Sequence, residues 1–158
     1  MIGEKMTKIK YSLTASILIG LSAISMAFAQ VPEVNNHNGI DYMTGGIGLD
    51  ESIAIKEEAR HWPVQIMLSE IMDGKAVWIA DVDLTVKNAN HQTVFEIKTE
   101  GPLALIKLEP GKYTVEATNN GVKQTRRFTV IHGASKTVSI FWKASSTDTA
   151  EPDNKQEK

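Results

Sequence analysis

Three aspartates, a glycine-rich loop and three tryptophans are the residues of this sequence whose types and spacing suit chemistry. Asp81 and Asp83 stand two apart, on one face of any strand that holds them, and Asp73 precedes them in a turn. Paired carboxylates can bind Ca²⁺ or work as acid and base in hydrolysis. Two acids at that spacing also describe a solvated strand face or a guarded edge, and no D-x-D-x-D-G calcium loop is present. Gly45, Gly46 and Gly48 come just before a helical pattern, where backbone amides cradle anions in phosphate loops. No Lys-Ser/Thr pair follows them, and Asp50 and Glu51 sit where an anion would go, so a structural turn is the plainer reading.

Trp62, Trp78 and Trp142 stand out in a chain with 6% aromatics. Exposed, such rings would make a carbohydrate or peptide platform; buried, they are core. Trp142 is expected to close the core and Trp62 to pack the helix, which leaves Trp78, beside the acids, as the candidate. His37, His61, His91 and His132 are isolated and lack the H-x₃-H or H-E-x-x-H spacing of metal helices. No G-x-S-x-G nucleophile elbow occurs. Lys123, Arg126 and Arg127 make a small basic patch that pairs with Glu116 in the simplest reading and contacts an anionic polymer in the other. No catalytic residue, metal ligand or cofactor is expected.

The elements that must position these residues lie within 158 residues, enough for one domain. The chain has no cysteine, which excludes disulfides, thiolate metal sites and cysteine nucleophiles. A net charge of −2 argues against nucleic acid as a partner.

Residues 1–29 carry the three-part pattern of a secretory signal peptide. Lys5, Lys8 and Lys10 form the basic start, Leu13 to Phe28 are uncharged, and Ala27-Phe28-Ala29 sets cleavage after Ala29, with Ala27 a weaker site and Met6 an alternative start. The apolar run is shorter than the roughly 20 residues a spanning helix needs. Cleavage removes three lysines and one glutamate, moving the charge from −2 to −4, and no membrane insertion is expected afterwards. A periplasmic or secreted location follows.

Residues 30–43 read as a loose polar arm. Residues 144–158 hold nothing apolar larger than alanine and read as a disordered tail. The folded unit is then 44–143. It opens on a helix over Asp50–Arg60, with acids at the positive helix end, Asp50 as cap and Pro63 beyond its end. From Val64 onward the apolar period is two. Seven strands are expected: Val64–Leu68, Val77–Val86, Thr93–Lys98, Leu103–Leu108, Tyr113–Ala117, Val122–Val130 and Thr137–Trp142. Turn chemistry such as Asn119-Asn120-Gly121 separates them. The fold class is therefore mainly β, a seven-stranded antiparallel β-sandwich with one short N-terminal helix.

The run Leu108-Glu109-Pro110-Gly111-Lys112-Tyr113-Thr114-Val115 resembles the L-x-P-G-x-Y-x-V signature of carboxypeptidase regulatory-like domains, which are transthyretin-like (prealbumin-type) seven-stranded sandwiches. The resemblance covers about 77–142. Gly45 to Glu51 followed by a helix also resembles small exported proteobacterial members of that class. The resemblance implies the fold and no peptidase activity. The residues carry their own physics: Leu108 ends a core strand, Pro110 and Gly111 reverse the chain with Gly111 free for positive φ, and Tyr113 faces inward with its hydroxyl within reach of turn backbone.

The expected role is a non-enzymatic binding or structural module of the bacterial envelope. Its partner is an envelope protein, with a glycan as the alternative ligand and a Ca²⁺ or hydrolytic site at Asp73/Asp81/Asp83 as the other. The expected working surface combines segments 45–51, 73–78 and 100–102, with Gly45, Gly46, Gly48, Trp78, Asp81 and Asp83 as its binding residues.

Overall fold

A computed structural model describes residues 31–144. The signal-peptide reading, and the tail reading apart from Ala144, lie outside the described residues.

The described chain is mainly β, in the order β1 Asn35–His37, β2 Ile40–Gly45, helix α1 Leu49–Glu58 and a 3₁₀ turn Ala59–His61. The remaining strands are β3 Val64–Met72, β4 Lys75–Trp78, β5 Asp83–Asn88, β6 Thr93–Lys98, β7 Leu103–Ile106, β8 Gly111–Asn119, β9 Val122–Val130 and β10 Lys136–Lys143. They form two sheets. The larger runs β1-β2-β7-β3-β10, with β4 also paired to β3; the smaller runs β6-β5-β8-β9.

One core joins the two sheets, as a β-sandwich requires. Val64, Ile66 and Leu68 of β3, with Ile106 and Ile140, meet Leu84, Val86, Phe95, Val115 and Phe128 of the smaller sheet. Strict alternation along β3, β5 and β10 puts every second side chain in that layer. A second, smaller core lies on the opposite face of the larger sheet. There Ile55 of α1 and Trp62 cover Met43, Leu103 and Leu105. Strand β7 is buried at all four positions because it has a layer on each side, which accounts for its unbroken apolar sequence.

Ten strands replace the expected seven. Two of the additional strands come from the stretch expected to be a loose arm. Asn38 (φ 52) and Gly39 (φ 85) turn a hairpin there, and β2 pairs with β7 and buries Met43. Their local geometry is that of a type I′ turn, which suits the right-handed twist of the strands it joins. The third arises because Val77–Val86 is not one strand. It breaks at Ile79–Val82, where Asp81 adopts φ 58, and the chain passes from the larger sheet to the smaller. Buried Thr99 holds that crossover: its Oγ1 accepts from Val82 N at 3.2 Å and its carbonyl from Asp81 N at 2.9 Å. The pairing is also not wholly antiparallel, since β10 runs parallel to β3 along its full length.

Candidate functional site

The glycine loop wraps around a carboxylate of its own chain. Gly46 N donates to Glu51 Oε1 at 2.8 Å, so the amide an anion would use is already satisfied. Gly45 lies against this carboxylate and against the backbone of Gly101, where a side chain on either glycine would collide. Segments 45–51 and 100–102 are thereby brought together. Asp50 does not cap the helix. Gly48 (φ 83) holds the cap position without a side-chain bond, because the nearby carboxylate that reaches back is that of Glu51. The loop leaves Ile47, Leu49 and Ile53 as exposed apolar side chains, Leu49 the most at 74%.

The aspartates divide. Asp73 sits at the tip of the β3–β4 hairpin with φ 50, followed by Gly74 at φ 75. Asp81 and Asp83 line a shallow depression of about 540 Å³ together with Glu70 and Lys98. Asp83 pairs across the strands with Lys98 and with Thr118, so it belongs to the solvated outer face of the smaller sheet. Among the described residues no three His, Cys, Asp or Glu side chains come together in a metal-holding group.

The tryptophans take two different situations. Trp62 is buried and its indole N–H donates to Glu58 Oε1 at 3.3 Å. Trp142 is buried and donates to the Val122 carbonyl at 2.7 Å, joining the edge of one sheet to the edge of the other. Trp78 is 39% exposed on β4, with Lys56 Nζ of α1 4.1 Å from its ring centroid.

Its surroundings include a residue that the sequence reading passed over. In register, Ser69 of β3 lies between Trp78 of β4 and Phe141 of β10, so both rings project from one row of the larger sheet. Phe141 is 46% exposed and stands out of phase with the buried Val138, Ile140 and Trp142. That phase was visible as an aromatic on the wrong side of an alternating strand. Arg126 approaches the Phe141 ring at 5.6 Å from its centroid.

In the basic patch, Lys123 pairs with Glu116 at 3.0 Å, and Lys87 approaches the same carboxylate at 2.8 Å. Hydrogen bonds first from Lys87 and then from Lys123 hold the Glu116 carboxyl below the usual range. Arg126 makes its bond elsewhere, to the Thr125 carbonyl. Of the histidines, His37 packs edge-on against Phe95 and His61 lies 3.6 Å from Glu58. His91 sits in the β5–β6 turn at φ 60, and His132 is exposed.

The turn signature is built as a structural device. Leu108 is buried, and Tyr113 Oη donates to the Glu109 carbonyl at 2.9 Å. Burial and then the Glu109 carboxylate push the Tyr113 phenol upward, which keeps it a donor. Gly111 has no positive φ. A Cβ there would stand 3.3 Å from the Tyr113 ring, a tight contact that the ring would have to yield to by a few tenths of an ångström.

The described residues contain no helix long and apolar enough to cross a membrane. The chain matches no protein-family model and no curated protein sequence.

Proposed function

We propose that this chain is an exported, non-enzymatic binding module of the bacterial envelope, of the carboxypeptidase regulatory-like, prealbumin type, acting by contact with another envelope protein. The observation that carries this reading is the apolar surface at the start of α1. Ile47 and Leu49, 61% and 74% exposed, flank a loop whose own amide is already committed to Glu51. A helix start that exposes large aliphatic groups beside a rigid loop suits burial against a partner. The leader-like residues 1–29 support export.

Site-specific photocrosslinking from position 50, an exposed neighbour of both side chains, in cells, tests the reading. One recurrent envelope protein is expected, and Ile47→Ser with Leu49→Ser should abolish its recovery while leaving the melt unchanged. Equal recovery by that double variant would sink the proposal. N-terminal sequencing of the exported chain should begin at Gln30.

A second reading, carbohydrate binding, is favoured by one specific observation: Trp78 is exposed and shares its row with exposed Phe141. Quenching of tryptophan fluorescence by soluble glycan is its expected sign.

A further inference from the structure

We infer that the row Phe141–Ser69–Trp78 is a platform for a glycan bearing carboxylates, a uronate-type chain; the inference rests on the carbohydrate reading above. The two rings stand two strands apart, about 9.5 Å at ordinary strand spacing. The small Ser69 between them leaves a trough. Flat apolar rings flanking a trough suit the C–H faces of consecutive sugars.

Charge decides the class of sugar. Lys56 rests over Trp78 and Arg126 over Phe141. Lys143 stands in the next row, opposite Ile71. Among the described residues none of the three is in an ion pair. The neighbouring acids are turned elsewhere. Glu51 takes the Gly46 amide, and Glu58 takes the Trp62 indole and approaches His61. Glu70 follows the phase of Leu68 and faces the other sheet's side. A cation over an exposed ring is weakly held. Each can therefore move from its ring to a ligand carboxylate as a sugar takes the ring face.

An acidic peptide fits less well. Strand addition would use the free edge of β4 or of β10, beside one ring, whereas the path from ring to ring crosses β3, which is paired on both sides.

The test titrates the full exported chain with oligomannuronate and with β-1,4-manno-oligosaccharide of the same length, which differ in the carboxylate alone. Trp62 and Trp142 are buried, so fluorescence change reports Trp78. The uronate is expected to bind about tenfold more tightly at low salt. Raising salt from about 0.05 to 0.5 M should erase that advantage. Lys56→Gln with Arg126→Gln should erase it too, leaving the melt intact. Equal affinity for both chains would overturn the inference and leave the carbohydrate reading standing; no response to either would remove both. Calorimetry on Trp78→Ala with Phe141→Ser supplies the last arm. Undiminished uronate binding there would mean general polyanion attraction and would also overturn it.

Discussion

The helix-side face of the larger sheet has two halves that differ in what lies above them. Over β2, β7 and the start of β3, Ile55 and Trp62 cover Met43, Leu103 and Leu105, each 2% exposed or less. Over the end of β3, with β4 and β10, exposed Trp78 and Phe141 carry cations. Strand β3 runs through both halves, flanked by β7 in one and by β4 in the other, and the residue types overlap. A tryptophan in one half gives its indole N–H to a carboxylate, while a tryptophan in the other offers its ring to an ammonium. Cover, more than residue type, separates a core aromatic from one available to a ligand.

Substitution of equivalent positions in the two halves should expose that difference. The largest effect is expected at Leu105, fully buried under the helix: Leu105→Ala should cost about 2–5 kcal/mol in denaturant unfolding. Tyr113, half-buried in the smaller sheet, should fall between the halves, with Tyr113→Ala costing about 1.5–3 kcal/mol. A melt of that variant with no loss would contradict its placement in the strand register. Glu51→Ala frees the Gly46 amide that anchors the covering helix and should cost about 0.5–2 kcal/mol. It should also raise hydrogen exchange at Gly46 before other sites. Trp78→Ala in the open half should stay within about 0.5 kcal/mol; a loss as large as that of Leu105→Ala would mean the open half is core after all.

The smallest effect concerns acid. Glu116 lies on the solvated face of the smaller sheet with its pKa lowered, first by Lys87 and then by Lys123. A carboxylate with a lowered folded pKa stabilises above its unfolded pKa, and that contribution fades as pH falls through the folded one. Glu116→Gln should therefore slightly flatten the fall of Tm between about pH 5 and pH 2. An identical acid profile for wild type and variant would show that solvent screens both pairs.

Periodicity made the inner core readable. Val64, Ile66 and Leu68, and Val82, Leu84 and Val86, alternate in the sequence and are buried in the fold. The turn at Tyr113 was readable because Pro, Gly and Tyr each have a separate physical task there. Three things were harder to see. The β1–β2 hairpin has a polar first strand, Asn35–His37, so the Asn-rich turn at Asn38-Gly39 reads as part of a loose arm with no strand before it. The break at Ile79–Val82 depends on a partner 17 residues away, Thr99, and an uninterrupted alternation gives no sign of it. For the candidate surface, Trp78 was visible as an aromatic but its partners were not. Ser69, Phe141, Lys56 and Arg126 meet it through pairing between strands distant in the chain and through a helix laid across them.

The parallel pairing of β3 with β10 bears on how the chain is made. Gln65 and Thr137 are neighbours in space yet 72 positions apart, and the later one belongs to the last of the described strands. A ribosome releases β3 long before its neighbour exists, so the centre of the larger sheet stays half-paired until β10 emerges. Long-range closure of this kind slows folding. A chain cut short before β10 loses a whole side of its central strand and should be cleared by proteolysis.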